Sequence, residues 1–359
     1  MAKRKNTKTG KLSIEDLRSI VNKKAGMKVA YDLMDEDCPT LVKEWIPTGS
    51  RWLDSIIADE GRLAGIPVGK ITEIAGLEST GKSYMAVQAA SNAQKMGIDV
   101  VYFDSESALA PAFVEAAGVD LSKLLYIQAT SVEFVLETIE TLLESNENKM
   151  LFIWDSLANT PAVSDLEGDY NPQSSVALKA RILAKGMSKL TVPIANSQST
   201  FLVLNQLKTN IPTGPNAHVV AMTTPYVTPG GKAMTYKYSL RIWLTGRKAK
   251  SSFVKNANDE DIGSDVRVKI VKSRFGTQGR TCNFKILWRG AKIGIMDDES
   301  LFDAIKISKR LTCSGSWYTL QYDDGKSVKF QPSGWMQKMA DPDFKAQVIQ
   351  IIDEEVIQK

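Results

Sequence analysis

The stretch GLESTGKS, residues 76–83, has the residue types and spacing of a phosphate-binding loop. In the pattern G-x-x-x-x-G-K-[ST], the glycines let backbone N–H groups wrap a phosphate chain at the start of a helix. Lys82 would reach the β- and γ-phosphates of ATP, and the Ser83 hydroxyl would ligate Mg²⁺. A predicted strand, KITEIA, precedes the stretch and a predicted helix follows it, which disfavours the alternative of a glycine turn without a ligand. The nucleotide-binding residues predicted here are Gly76, Glu78, Ser79, Thr80, Gly81, Lys82, Ser83 and Tyr84.

Acidic side chains at two strand ends would complete a hydrolytic site. Asp155 ends the apolar strand LFIWD, where a second Mg²⁺-orienting group belongs in such an architecture. Glu106 ends VVYFDSE, and a carboxylate there can orient and deprotonate the attacking water. The neighbouring Asp104 and Ser105 leave the choice of acid open on chemistry alone. These residues predict a Mg²⁺-dependent nucleoside triphosphatase.

Charge is distributed unevenly along the 359 residues, although the net charge is only +4. Residues 170–258 contain no Asp or Glu but 12 Lys or Arg. Such a region is either a solvated basic face or a surface that meets a polyanion, and its length favours the polyanion.

A long segment inside this region, residues 206–230, shows neither helical nor alternating periodicity. It contains four prolines and the chain's only histidine, His218. Structureless loops of more than about 12–15 residues are uncommon in compact domains and are usually functional or disordered. We therefore expect a functional loop.

Apolar strands alternate with helices from about residue 66, which predicts an α/β fold with a mostly parallel sheet covered on both faces. SLRIWLTG, SDVRVKIVKS and TCNFKILW should pair antiparallel at one edge. SIEDLRSIVNKK reads as a short amphipathic helix capped by Ser13, and Thr130 with Glu133 reads as a capping box opening a later helix. The predicted division is an N-terminal tail and oligomerisation helix (1–44), an ATPase core (45–293) and a small α+β domain (294–359).

Composition bounds the class of protein. With 43% apolar residues the chain can bury a sizeable core, yet no apolar run is long enough to span a membrane. The basic N-terminus lacks the apolar stretch of a secretory signal. Three scattered cysteines fit reduced thiols, and a single histidine argues against a His-rich metal site. We expect a cytoplasmic protein.

The motifs GLESTGKS, YFDSESALAP, FIWDSLA, VLNQ and GGKAM, in this order and spacing, resemble those of the RecA-type DNA recombinases. IPTGSRWLDSII, RVKIVKSR and GSWYTLQYDDG extend the resemblance over about residues 45–325. It implies a RecA-type core that binds ATP and Mg²⁺, polymerises on single-stranded DNA and exchanges strands with a duplex. The compact size and divergent ends favour a phage protein, which would act in the host cytoplasm.

The resemblance also assigns roles to individual residues. Glu106 matches the family's water-activating glutamate, which settles the choice between the acids. Phe113 matches an aromatic side chain that stacks on adenine, and Gln206 matches a glutamine that senses the γ-phosphate. Lys272 and Arg274 match two cations that reach the nucleotide of the neighbouring subunit and stabilise charge there.

Residues 208–228 resemble the family's second DNA-binding loop, which is disordered without DNA, and residues 165–175 resemble the first. Pro229 and Lys232 replace a threonine and an asparagine of the bacterial family, and Ser188 replaces a basic residue. These departures predict fewer phosphate contacts at the exit of the second loop, because proline has no N–H to donate. The residues expected to contact DNA are Arg181, Lys208, His218, Val219, Val220, Met222, Gly230, Gly231 and Lys232.

Cations supplied in trans imply head-to-tail assembly, as an open helical filament or a ring. Single-strand-binding and loading proteins are further partners that the family implies. A ring-forming replicative helicase is the main alternative, although only about 45 residues precede the core and such helicases lack a long loop after NQ. A mediator without catalysis would not retain Lys82, Ser83, Glu106 and Asp155.

Overall fold

The computed structural model describes residues 12–357 except 27, 37, 58–62, 168–175, 247–252 and 291–292. Contacts divide the chain into two compact units, residues 1–43 and 44–359. No helix among the described residues is both long enough and apolar enough to cross a membrane.

The described residues of the first unit form helix α1 (Ile14–Ala25), whose capping box is formed as predicted. Ser13 Oγ accepts from the backbone N–H of Asp16, and Asp16 accepts from the backbone N–H of Ser13. The apolar face of α1 is exposed, with Ile14 65% and Ile20 52% accessible. The helix therefore has an amphipathic pattern without any buried residue of its own.

The second unit is built on one large sheet with strand order β14-β13-β12-β10-β3-β7-β6-β4-β5. The six strands from β10 to β5 are parallel: β3 (Ile71–Gly76), β4 (Asp99–Asp104), β5 (Leu124–Gln128), β6 (Met150–Asp155), β7 (Thr200–Gln206) and β10 (Leu240–Gly246). An antiparallel extension follows β10: β11 (Phe253–Lys255), β12 (Asp261–Ser273), β13 (Thr281–Leu287) and β14 (Gly294–Ile295). Two short strands, β1 (Trp45–Ile46) and β2 (Ile66–Pro67), pair beside the sheet.

Helices cover both faces of the sheet, and each face has its own apolar cluster. The helices up to residue 237, of which α8 lies in the segment after β7 and has no buried residue, are α2 (Arg51–Ile57), α3 (Lys82–Lys95), α4 (Pro111–Ala116), α5 (Val132–Ser145), α6 (Val163–Glu167), α7 (Val176–Asn196), α8 (Ala217–Thr223) and α9 (Gly231–Lys237). The strands that are buried on both faces are nearly continuous in apolar residues, as expected for a covered parallel sheet.

The C-terminal segment adds α10 (Asp297–Ile305), a three-stranded antiparallel sheet and two helices. The strands are β15 (Leu311–Ser314), β16 (Trp317–Gln321) and β17 (Ser327–Phe330), and the helices are α11 (Trp335–Met339) and α12 (Pro342–Ile352). An aromatic cluster of Phe302, Phe330, Trp335 and Phe344 is continuous with the apolar cluster of the main sheet. The domain boundary at residue 293/294 stays a prediction.

The predicted α/β class, the mostly parallel sheet and the antiparallel edge are confirmed. The capping box at Thr130 is wrong by one residue. Ser131 caps α5 by accepting from Phe134 N, and Glu133 accepts instead from Val163 N at 3.0 Å. Adjacent Thr and Ser are equivalent as caps by type, so spacing alone selected the wrong one.

Candidate functional site

The loop of residues 76–83 joins β3 to α3 and is closed by its own contacts. Gly81 has a φ of 83°, and a Cβ there would lie 2.3 Å from Ile286 Cδ1, so a larger residue would strain the backbone and displace that side chain. Thr80 Oγ1 donates to the Leu77 carbonyl at 2.8 Å. The loop thus leads directly into the first turn of α3, whose backbone N–H groups have no partner within the helix.

Lys82 lies inside this loop. Its Nζ donates to the carbonyl oxygens of Gly76 at 3.2 Å and Leu77 at 2.8 Å. Burial lowers the pKa of Lys82, and the negative charges of Asp155 and Glu106 oppose that change. The lysine is therefore a cation held between main-chain oxygens and facing carboxylates.

Asp155 ends β6 and accepts from Tyr102 Oη at 2.7 Å. Burial raises the pKa of Asp155, hydrogen bonds from Ser83 and Tyr102 oppose this change, and the charges of Asp104 and Glu106 add to it. The Ser83 hydroxyl and the Asp155 carboxylate therefore lie together beside crowded negative charge.

This donor set fits Mg²⁺, which commonly takes one or two protein oxygens and completes its shell with phosphate oxygens and water. A divalent cation would also offset the carboxylate crowding that raises the pKa of Asp155. Over the described ranges, no three His, Cys, Asp or Glu side chains gather as an all-protein metal site. The two oxygens suit a metal that is shared with a nucleotide.

Asp104 and Glu106 have different surroundings. Asp104 is 4% exposed, and its two oxygens accept from the backbone N–H groups of residues 106–109 at 2.9–3.1 Å. Glu106 is exposed, and its carboxylate accepts from Asn159 Nδ2. Asp104 therefore shapes the turn after β4, while Glu106 is the more accessible of the two carboxylates.

A small pocket opens between these acids and α4. Its lining residues are Ser83, Asp104, Glu106, Ala108, Leu109, Phe113 and Asp155. Phe113 is half-buried and packs edge-on against Tyr84, with ring centroids 5.8 Å apart. The predicted aromatic partner of adenine thus lines the same pocket as the predicted acids.

Gln206 is the last residue of β7 and lies in register with Gly76, the first residue of the loop. Leu207 N donates to the Gly76 carbonyl at 3.0 Å, which joins the ends of β7 and β3. Gln206 is therefore placed between the loop of residues 76–83 and the segment that follows it.

That segment, residues 207–229, will be called the loop segment. Strands β8 (Lys208–Thr209) and β9 (Tyr226–Val227) pair antiparallel at its base, and helix α8 forms its tip. The expectation of a segment without regular structure is wrong. Its prolines lie outside residues 217–223, which contain neither Gly nor Pro and can form a helical turn.

The tip of the loop segment exposes apolar side chains, with Val219 61% and Met222 72% accessible. Val220 and His218 are exposed beside them, and Lys208 is exposed at the base. Exposed apolar groups of this size on a short helix are uncommon without a partner, so the tip is a candidate contact surface.

The loop segment is followed by Gly230 and Gly231, whose φ angles are 105° and 80°. A Cβ on Gly231 would lie 3.5 Å from Ala180 Cβ, so the start of α9 lies against α7. Arg181 and Lys232 are exposed near this contact. Of the other predicted DNA segment, residues 168–175 lie outside the described residues.

Lys272 and Arg274 are near the end of β12, where they meet the last turn of α9. Lys272 Nζ donates to the carbonyls of Thr235 at 2.8 Å and Tyr236 at 3.1 Å, and Arg274 Nη2 donates to that of Tyr236 at 3.2 Å. Burial lowers the pKa of Lys272, and the nearby charges of Arg274 and Arg241 lower it further.

These two cations are far from the nucleotide loop of their own subunit. Lys272 is in register with Arg241 and, through it, with Glu73, whereas Leu244 is in register with Gly76. Along β10, Arg241 and Leu244 are three residues apart, which corresponds to about 10 Å at 3.3 Å per residue. The cations lie at the amino edge of the parallel strands and the loop lies at the carboxyl edge.

Several supporting residues were missed from the sequence. Tyr102 donates to Asp155, and Asn159 donates to Glu106. Lys179, in the first turn of α7, donates from Nζ to the Thr160 carbonyl at 2.6 Å. Tyrosine, asparagine and lysine at these positions form no motif, because each acts through a partner distant in sequence. The register of β4, β6 and β7 would have been needed to find them.

The loop of residues 76–83, the acids and Gln206 all lie at the carboxyl edge of a parallel sheet, which is the ligand-binding edge of open α/β proteins. The sequence-family model of the RecA N-terminal domain matches residues 13–293 of this chain. The chain is 32% identical to Protein RecA of Saccharopolyspora erythraea over 87% of this chain and 84% of that protein. It is also 32% identical to Protein RecA of Symbiobacterium thermophilum over 89% of this chain and 86% of that protein. The chain belongs to the RecA family and is a RecA-type recombination protein.

Proposed function

We propose that this protein polymerises on single-stranded DNA and catalyses homologous pairing and strand exchange, with DNA-stimulated hydrolysis of ATP. One observation carries the proposal: Gln206 lies beside Gly76 and directly precedes the loop segment. A single strand, β7, therefore connects the proposed nucleotide site to the proposed DNA contact.

At the nucleotide site, backbone N–H groups of residues 76–83 would surround the phosphates, and Lys82 would exchange its carbonyl partners for phosphate oxygens. Ser83 and Asp155 would hold Mg²⁺, which neutralises phosphate charge when bound. Glu106 would orient and deprotonate the attacking water, and Phe113 with Tyr84 would bind the base. The burial and polarity of these residues suit such roles.

At the DNA surface, Arg181, Lys208 and Lys232 would contact phosphates, aided by the backbone N–H groups of Gly230 and Gly231. Val219, Val220 and Met222 would insert between bases and extend the strand, as apolar wedges do in duplex DNA. His218 is exposed beside them. Apolar side chains make up much of the exposed tip, so we expect binding without sequence preference.

Filament assembly is supported by the position of Lys272 and Arg274 at the amino edge of the sheet, away from their own nucleotide loop. They would complete the nucleotide site of the next subunit, which makes the interface head-to-tail. Helix α1 exposes its apolar face and would pack on a neighbouring subunit.

Negative-stain microscopy of the protein with long single-stranded DNA and a slowly hydrolysed ATP analogue tests the proposal. Open helical filaments that coat the DNA are the expected result, followed by joint-molecule formation with homologous duplex. Closed six-membered rings without strand exchange would contradict the proposal and favour a ring-forming helicase.

A further inference from the structure

Three polar side chains are buried beneath the end of the loop segment, where β3, β7 and β10 run side by side. Glu73 is 1%, Asn205 0% and Arg241 7% exposed. Arg241 Nε donates to Glu73 Oε2 at 2.6 Å, and Asn205 Nδ2 donates to Glu73 Oε1 at 2.9 Å. We call these three residues the exit cluster.

Stability alone does not explain a charged pair at this position. A buried ion pair loses hydration and is often no more stabilising than apolar side chains of similar size. The surrounding positions of the same sheet face are apolar, including Ile71 and Val203. A requirement for hydrogen bonds that apolar residues cannot make would explain the cluster.

Those hydrogen bonds lead to the last two residues of the loop segment. Arg241 Nη2 donates to Thr228 Oγ1 at 2.9 Å, and Asn205 Nδ2 donates to the Pro229 carbonyl at 3.0 Å. Gly230 follows directly. The cluster therefore holds the chain at the point where the proposed DNA-binding residues Gly230 and Gly231 begin α9.

On its other side, the exit cluster contacts the end of β7, beside the proposed nucleotide loop. Asn205 Oδ1 accepts from the backbone N–H of Gln206 at 2.9 Å. Glu73 precedes Gly76 by three residues on β3. One amide, that of Asn205, therefore contacts the strand end beside the nucleotide loop and the exit of the loop segment.

We propose that Glu73, Asn205 and Arg241 are positioning residues that couple the nucleotide site to the DNA-contacting start of α9. A displacement of Gln206 by a bound γ-phosphate moves Asn205, and the hydrogen bonds to Thr228 and Pro229 carry that displacement to Gly230 and Gly231. All three side chains are buried, so the role assigned to them requires no direct contact with ATP or DNA. This role rests on the proposed function, because it requires both ligands.

The double substitution Glu73→Leu with Arg241→Met removes both charges at similar volume and breaks the link to Thr228. We expect a melting temperature near or above that of wild type, and an unchanged KM for ATP without DNA. The DNA-stimulated kcat should fall tenfold or more. The tightening of single-stranded DNA binding by an ATP analogue, measured by fluorescence anisotropy, should be lost.

Two single substitutions provide a milder test with a conservative partner. Thr228→Val keeps the shape of the side chain but removes the acceptor of Arg241, and it should reduce DNA stimulation. Thr228→Ser keeps the hydroxyl and should preserve it. Equal stimulation in both variants would overturn the role of the Arg241–Thr228 hydrogen bond.

Val203→Ala is the matched control, because Val203 is buried in register with Glu73 on the same face but makes no polar contact with the loop segment. It should lower the melting temperature and leave unchanged the ratio of ATPase rates measured with and without DNA. The proposal is wrong if the double variant keeps the wild-type DNA stimulation and the wild-type tightening of DNA binding. It is also wrong if the double variant, like Val203→Ala, loses activity only in proportion to its loss of folded protein. Absent stimulation of the wild-type protein would instead contradict the proposed function.

Discussion

Asp104 and Glu106 are two residues apart at the end of β4, yet they differ in what their oxygens can do. The oxygens of Asp104 accept four backbone N–H groups, so the carboxylate is committed to the shape of the turn. Glu106 points to the pocket with one side-chain partner, Asn159. Residue type could not separate the two acids, whereas backbone geometry does.

Substitution of each acid should therefore have a different effect. Glu106→Gln should slow ATP hydrolysis about 10²-fold or more, the range for loss of a general base, with nucleotide affinity retained. Asp104→Asn should mainly destabilise the turn, by about 1.5–3 kcal/mol for weakened hydrogen bonds to a charged group. Single-turnover hydrolysis and thermal unfolding separate these outcomes. Slow hydrolysis in a fully stable Asp104→Asn protein would transfer the catalytic role to Asp104.

Lys82→Ala should abolish ATP turnover while leaving the fold intact, because the hydrogen bonds of the side chain go to main-chain oxygens of its own loop. Steady-state ATPase rates and far-UV circular dichroism would check this expectation. Lys95→Ala, at the exposed end of the same helix, is the control and should behave as wild type. Normal turnover in Lys82→Ala would rule out the phosphate role of this loop.

Among the structural elements, the loop segment best shows what the sequence could and could not predict. Its place after β7 and its proximity to the nucleotide loop follow from the alternation of strands and helices, since parallel strands end at one edge. Helix α8 was missed because seven residues between prolines carry little periodicity. The acids, Lys82 and Ser83 were predictable from motifs, whereas the exit cluster depends on the register between β3, β7 and β10.

The apolar tip of α8 should contribute to DNA binding without changing its dependence on salt. Val219→Ser with Met222→Ser should weaken single-stranded DNA binding, because fully burying a Val or Met side chain is worth about 1.5–3 kcal/mol. The slope of log affinity against log salt should stay constant, since no phosphate contact is lost.

Lys208→Ala with Lys232→Ala should reduce the magnitude of that slope by about 1.4, because two phosphate contacts are removed and each contributes about 0.7 on a single strand. Ile307→Ser replaces an equally exposed apolar residue far along the chain in the C-terminal segment and should have no effect on binding. A salt slope that falls for the tip variant but not for the lysine variant would reverse the assigned roles.

At the scale of the whole molecule, α2 contacts the C-terminal segment through the half-buried carboxyl group of Asp297, and a second carboxyl group, that of Asp54, is buried within α2 itself. Asp297 of α10 accepts from Arg51 N at 2.9 Å, and Asp54 accepts from Thr48 Oγ1 at 2.6 Å. Burial raises the pKa of Asp54 to about 7 and that of Asp297 to about 6. Asp297 also repels Asp54, while Arg51 partly offsets both.

A raised carboxyl pKa makes stability fall as pH rises, because the folded protein keeps a proton that the unfolded chain releases. The Asp54 contribution is complete below about pH 4 and is lost as pH rises towards 7, an effect of up to about 4 kcal/mol at 1.36 kcal/mol per unit. Asp54→Asn should flatten the unfolding free energy over this range, measured by urea titration. An unchanged pH profile would show that Asp54 is ionised in the folded protein.

The proposed action of Lys272 and Arg274 in trans predicts complementation between inactive subunits. Lys82→Ala protein and a Lys272→Ala, Arg274→Ala double variant should each lack DNA-stimulated ATPase. In an equal mixture, about a quarter of head-to-tail interfaces would combine an intact loop with intact cations. ATPase at about that fraction of wild type is expected. No recovery, with both variants still binding DNA, would place the cations in their own subunit's site.

Because the nucleotide loop and the two cations lie at opposite edges of one sheet, the number of complete nucleotide sites depends on how many subunits are joined. If the cations act in trans, as proposed, an open chain of subunits always has one complete site fewer than it has subunits. One terminus carries an unused loop and the other carries unused cations, so the two ends differ chemically. Growth, shortening and recognition by other proteins can therefore differ between the ends, and short chains turn over less ATP per subunit than long ones.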